Sequence, residues 1–227
     1  MPPILHLCCG STIWPVAKWS AKMSVREMTA IEYQRAEPLI YLERSIRAIL
    51  VRTGNTFTDL GASYEIMGYY ACSSPHLSSA VLSSQAILET GDNYQKQSLL
   101  PAIASGRQIF ALAITEPEYG WGPNMVQLKA SRRNGNFLLD GTKLFIPDAN
   151  VADRLLVAAR TSSGPDPADG LTLFLVDKDA PGVSVRVQTG WIGPKVCEVN
   201  FVDVEVPAAN VLGDVDRAGP GLASKRP

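Results

Sequence analysis

The chain has 227 residues, 46% hydrophobic and 19% charged, enough to bury a real core in one large domain or two modest ones. A net charge of −1 provides no basic field and argues against nucleic acid as a partner; no apolar run approaches the roughly 20 residues that span a bilayer. Cys8, Cys9, Cys72 and Cys197 form no CxxC pair and read as reduced thiols of a cytosol-like compartment, and with only His6 and His76 a metal site built on several histidines is excluded.

Residues 1–53 show no clear period. Residues 1–26 contain Lys18, Lys22 and Arg26 but no Asp or Glu, a bias shared with organelle transit peptides. Pro2, Pro3 and Pro15 and the short apolar patch from Ile4 to Cys9 fit an irregular leader better, and no basic segment precedes the patch as a secretory signal requires. From Leu60 to Gly106 the period is helical. Leu60, Tyr64, Met67 and Ala71 form one stripe of an amphipathic helix. Ser74 followed by Pro75 reads as an N-cap with proline in the first turn; Leu77, Val81, Ser84 and Leu88 carry the next helix, closed by Gly91. Asp92 and Gln95 make a capping box for a third helix, which Pro101 is expected to kink or restart before Gly106.

From Phe110 onward the period becomes two. An apolar strand, Phe110 to Ile114, runs into Thr115–Glu116–Pro117 and then the glycine-rich turn Glu118–Tyr119–Gly120–Trp121–Gly122–Pro123. Such a corner exposes a hydroxyl and backbone N–H groups at the end of a buried strand, where a polar ring or a phosphate can be gripped. Val126, Leu128 and Ala130 alternate with Gln127, Lys129 and Ser131, and Asn134–Gly135 signals a hairpin. Leu155 to Ala159 and Leu171 to Val176 are continuous apolar runs suited to strands buried on both faces, with an exposed Ser162 to Gly170 loop between them. Pro181–Gly182 turns into Val183, Val185 and Val187; Cys197, Val199 and Phe201 alternate in the last strand, which ends at Val206–Pro207. The fold class expected is therefore α+β: an N-terminal α-helical domain (54–108) followed by a small antiparallel β-barrel or sandwich (109–213).

Three segments in this order resemble the acyl-CoA dehydrogenase family: Thr115–Glu116–Pro117, then Asp140–Gly141–Thr142–Lys143, then Phe201 to Pro207 leading to Asn210–Val211–Leu212–Gly213. The resemblance covers roughly residues 54–222 and implies an FAD-dependent oxidoreductase that dehydrogenates the α,β bond of an acyl-CoA, as in fatty acid metabolism. It implies cofactor contacts at Leu112, Ile114, Thr115, Gly120, Trp121, Phe145 and Pro147, with Trp121 also near the substrate. The family's usual loop places a serine where Trp121 stands, and a threonine or serine where Pro147 stands, so two polar flavin contacts are absent.

By the same resemblance, residues 214–227 are the start of a C-terminal helical domain whose remainder carries the catalytic glutamate, and this chain reads as a truncated member. No catalytic residue is assigned within it; Glu116 belongs to the corner and orients it. Implied partners are an acyl-CoA, an electron-transfer flavoprotein or similar acceptor, and further copies or subunits in a homo- or hetero-oligomer. The compartment expected is the cytoplasm, or the mitochondrion in a eukaryote. Two other readings keep the architecture: a non-catalytic scaffold subunit of a flavoprotein complex, and a flavin-dependent monooxygenase.

Overall fold

The computed structural model describes residues 57–69, 74–118, 120, 122–188 and 196–218. The leader 1–53, Cys72, Trp121 and the loop 219–222 lie outside the described residues.

Three helices come first. Helix α1 spans Phe57–Tyr69; α2 is π-helical over Leu77–Ser83 and α-helical over Ser84–Thr90; α3 spans Asn93–Ala104. The expected caps are present. The Ser74 hydroxyl accepts the His76 N–H at 3.2 Å, the Gly91 N–H closes α2 on the Ile87 carbonyl, and the capping box pairs Asp92 with Gln95 in both directions. Gln95 also reaches across to the β-region, donating to the Val211 carbonyl at 2.6 Å and accepting from the Gly213 N–H at 2.9 Å.

Two helical expectations are corrected. The helix does not restart at Pro101 but runs unbroken to Ala104: the ring sits on the exposed side while Leu99, Leu100, Ile103 and Ala104 are buried, and their packing outweighs one lost hydrogen bond. In α2 only Ser84 of the expected Leu77–Val81–Ser84–Leu88 stripe is fully buried. Leu77 is 51% exposed, and Ser79, Ala80, Ser83 and Ile87 turn inward instead. The π-helical turns shift the phase of the face by closing i→i+5 bonds, a departure that 3.6-residue counting cannot register.

The strands are β1 (Phe110–Ala113), β2 (Lys129–Arg133), β3 (Asn136–Pro147), β4 (Arg154–Arg160), β5 (Leu171–Asp177), β6 (Val183–Gln188), β7 (Val196–Val206) and β8 (Val211–Leu212). The sheet runs β6-β7-β3-β2-β4-β5-β8, with β1 beside β4. Most pairs are antiparallel, while β1 and β2 meet β4 in parallel. The α+β class is as expected, but the barrel is not closed. The path ends at β6 and β8 rather than joining them, and β8, with two residues, is the kind of short edge that offers little to an incoming strand. The Asn134–Gly135 hairpin is present, both residues holding positive φ (50° and 85°) between β2 and β3.

Alternation decides which core each strand feeds. In β4, Leu155, Val157 and Ala159 face the interior of the folded sheet, together with Phe137, Leu139, Phe174, Val199 and Phe201. Leu156 and Ala158 face the other way, onto Ile87, Leu99, Leu100 and Ile103 of the helices. β4 and β5 are therefore covered on both sides, which is why their sequences are continuous apolar runs. Strand β1 does the same over four residues: Ala111 and Ala113 face the sheet interior while Phe110 packs toward the helices.

Candidate functional site

β1 leads into the corner that the sequence singled out. It stops at Ala113, so Ile114 and Thr115 lie past its end, and it runs parallel to β4. Beyond that point the chain is held by a different partner, β3. The Thr115 carbonyl accepts the Leu144 N–H at 2.8 Å, and the Ile114 carbonyl accepts Lys143 Nζ at 2.9 Å.

Lys143 is the organising residue of this corner. Its side chain is fully buried, and Nζ lies 2.6 Å from Glu116 Oε1, itself 4% exposed. The Glu116 carboxylate also accepts the Gln127 N–H at 2.9 Å and the Leu128 N–H at 3.0 Å. One carboxylate thus closes the loop that leaves the corner by tying residues 127 and 128 back to residue 116, and one ammonium joins that assembly to β3. Burial pulls the Lys143 ammonium down to about 8, while the charge and hydrogen bond of Glu116 oppose the shift. The first two of the three sequence motifs of the resemblance meet here as an ion pair. Sequence reading assigned Lys143 no role, although the parity of β3 marks it: Phe137, Leu139, Gly141 and Lys143 share one face, and that face is buried at Phe137 and Leu139.

Two residues further along β3 the parity breaks. Lys143 pairs with Val199 and Ile146 with Cys197, so Leu144 and Phe145 together stand opposite Glu198 alone. This is a β-bulge, and Phe145 in it holds φ 54°, a left-handed value uncommon for an aromatic residue. Without the bulge Phe145 would point inward. With it, Ile146 fills the core at 1% exposure and Phe145 is turned out to 46%. The bulge therefore presents an aromatic face beside the corner.

Of the expected cofactor contacts, Leu112, Ile114 and Thr115 are half-buried along the exit of β1, and Phe145 and Pro147 lie at the far end of β3. The corner and the bulge are joined through Leu144 and Lys143. Gly120 is exposed on the loop, where a Cβ would come within 2.6 Å of Met125 Cγ. Trp121 lies outside the described residues.

After Pro147 the chain turns through Asp148, also left-handed at φ 59°. Its carboxylate accepts a short hydrogen bond (2.5 Å) from Ser78 on the π-helical part of α2, and burial raises its pKa against the opposing effect of that bond. Immediately before α2, His76 is buried, with Nδ1 2.8 Å from the Tyr64 hydroxyl and Nε2 without a partner. Burial pushes His76 down to about 4 and Tyr64 up to about 12. Sequence reading missed these helix-to-turn contacts because the phase of α2 was set by its π-helical turns.

With this geometry in view, comparison with known proteins is direct. Residues 111–204 match the model of the acyl-CoA dehydrogenase middle domain. The chain carries the middle domain of the acyl-CoA dehydrogenase family. It is 38% identical over 131 residues to the mitochondrial isovaleryl-CoA dehydrogenase of Pongo abelii, covering 56% of this chain and 31% of that protein. It is 33% identical over 156 residues to the cyclohexane-1-carbonyl-CoA dehydrogenase of Geobacter metallireducens, covering 67% of this chain and 40% of that one. Among solved structures, the glutaryl-CoA dehydrogenase of Mycobacterium smegmatis in complex with FADH2 superposes with a TM-score of 0.55 at 29% identity, over 62% of this chain and 36% of that protein. The chain thus spans about a third of the length of the curated relatives it matches. None of the described helices is long and apolar enough to cross a membrane.

Proposed function

We propose that residues 110–147 form one wall of an FAD site in an acyl-CoA dehydrogenase-type oxidoreductase, with an acyl-CoA thioester as the substrate class. The observation that carries this reading is the clamp between Lys143 and Glu116. It fixes the Thr115 corner against β3 beside a bulge that turns an aromatic side chain outward. A flat ring placed there meets the half-buried Ile114 and Thr115 on one side and Phe145 on the other. Family resemblance assigns the ring of FAD to this position and its diphosphate to the Gly120–Gly122 loop.

The residues present fit that group in part. Thr115 supplies a hydroxyl, and the corner has a fixed backbone; Pro147 supplies neither a hydroxyl nor an N–H where relatives have a threonine or serine. When bound, FAD supplies the hydride acceptor for removal of hydrogen from the substrate's β carbon. This chain's own residues bind and orient. Thr115 and the bulge hold the ring in register, and the buried pair keeps the corner from opening to water. Glu116 does not serve as the base that removes the α proton, because its oxygens are already taken by Lys143, Gln127 and Leu128.

A second reading, a non-catalytic subunit that shapes a flavoprotein site, is favoured by one specific observation, the loss of the polar contact at Pro147. The test is the flavin absorbance of the purified protein and its titration with FAD, followed by ferrocenium-coupled oxidation of short, medium and branched acyl-CoA substrates. Saturable FAD uptake without turnover is expected of these residues, within which no catalytic base is assigned; turnover would show that they contain one. Absence of uptake at every concentration overturns the flavin site.

A further inference from the structure

Arg160 closes β4, and every partner of its guanidinium among the described residues is a backbone carbonyl. Nε donates to Val126 at 3.0 Å, Nη2 to Pro123 at 2.9 Å and to Pro167 at 3.2 Å, and Nη1 to Asp169 at 2.9 Å. The Arg160 N–H adds a bond to the Leu128 carbonyl at 2.8 Å. Two of the four side-chain bonds reach the loop that leaves the Thr115 corner, and two reach the exposed Ser162–Gly170 loop. A planar fork with five donors can satisfy diverging carbonyls in this way, and an ammonium cannot.

The contacts divide the loop between two clamps. Residues 114, 116, 127 and 128 are held by Lys143 and Glu116, and Thr115 by the Leu144 N–H. The short 3₁₀ turn Pro123–Met125 is held by Arg160, whose charge sits at the carbonyls of Pro123 and Val126. Pro123 O accepts both the Val126 N–H that closes the turn and Arg160 Nη2, so the guanidinium and the turn stabilise the same geometry. Gly122, immediately before the turn, holds φ 120°, a backbone state that its neighbours must keep in place.

We propose that Arg160 is a positioning residue for the diphosphate-facing half of the flavin site, acting through the 122–126 backbone, while the ring-facing half is positioned independently by Lys143 and Glu116. This rests on the flavin reading above and adds a division of labour to it. Replacing the fork frees the loop that would meet a diphosphate and leaves the ring corner as it is. The loss therefore falls on a ligand that carries the diphosphate and spares one that lacks it.

The experiment compares Kd values for FAD and for riboflavin in the full chain, in Arg160→Lys and in Arg160→Gln, with hydrogen–deuterium exchange of the same proteins. The expected result is FAD binding weakened about tenfold in both variants, the worth of one to two hydrogen bonds, with riboflavin affinity unchanged. Exchange should rise at residues 122–126 and 162–170 and stay constant at 143–147. Equal weakening of both ligands, or no weakening of FAD, overturns the positioning role. Arg160→Lys keeps the charge and guards against a variant that fails to fold; its folding is read from the unchanged exchange at 143–147. If the unaltered chain takes up neither ligand, the flavin reading itself falls and this assignment with it. Failure of the two ideas is thus separable.

Discussion

Two ion pairs in this molecule have the same length and opposite settings. Lys143–Glu116 and Arg186–Glu198 both measure 2.6 Å, yet the first is 0% and 4% exposed and the second 72% and 17%. The surface pair is embedded in a polar ladder across β6, β7 and β3, in which Thr142 donates to Asn200, and Asn200 and Arg186 donate to Glu198. Those bonds hold the Glu198 carboxyl below its ordinary range, Arg186 first among the causes. Distance alone cannot rank the two pairs. Burial ranks them, because only the inner pair has no water to replace a missing partner.

The largest effect expected from this contrast is at Lys143. Lys143→Met leaves the Glu116 charge buried without its cation and should cost about 3–5 kcal/mol of unfolding free energy, read from urea denaturation. Adding Glu116→Leu should recover only part of that loss. The double variant removes the stranded charge but orphans the Gln127 and Leu128 N–H groups that the carboxylate accepts. Full recovery in the double variant would show that the loop closes without the carboxylate.

A buried neutral group extends the comparison to the helices. His76 is held uncharged, its pKa lowered from 6.5 to about 4 by burial. Between those values the unfolded chain takes up a proton that the folded chain refuses, so stability falls as the pH falls from 6.5 to 4. The window contributes about 3 kcal/mol at its full extent. His76→Phe should flatten the slope of unfolding free energy against pH in this range, relative to the unaltered chain. An unchanged slope would place the histidine in water in the folded state.

How much of this was legible beforehand differs between the strands and the contacts that join them. The α+β order, the two-faced runs of β4 and β5, the Asn134–Gly135 hairpin and the capping box at Asp92 are local patterns, and each is written within a dozen residues. The Thr115 corner was also visible, since an apolar strand ending in Thr-Glu-Pro is local. The bond from Lys143 to Glu116 spans 27 positions, and the bond from Ser78 to Asp148 spans 70. Such contacts depend on how strands stack, which no local period records. The bulge at Phe145 and the π-helical turns of α2 are the two places where a regular period fails, and both change which side chain faces out. Barrel and sandwich stayed undecided for a related reason: alternation shows that a strand has a buried face but not whether the first and last strands meet.

At the ring-facing corner the effect should be smaller, on the order of one hydrogen bond. Thr115→Ala should weaken flavin uptake by about 1 kcal/mol, and Pro147→Thr should improve it by a similar amount. Titration of the purified variants with FAD checks both. Equal affinities for all three proteins would move the ring away from this corner.

The smallest effect belongs to the outer pair, and it is the sharpest test of the contrast. Arg186→Ala removes a 2.6 Å ion pair yet should leave the denaturation midpoint within the error of the measurement. Arg186 is mostly in solvent, so its loss is made good by water and counterions. Glu198 keeps the Asn200 Nδ2–H at 3.0 Å and the Gln188 side chain at 3.4 Å, and neither depends on Arg186. What should change is the pKa of Glu198, which rises toward its ordinary range when the first cause of its depression is gone. A carboxyl titration followed by NMR reads that rise, and raising the salt concentration in the unaltered chain should move it the same way. A loss of stability at Arg186 as large as that at Lys143 would mean that length, rather than burial, ranks the pairs in this fold.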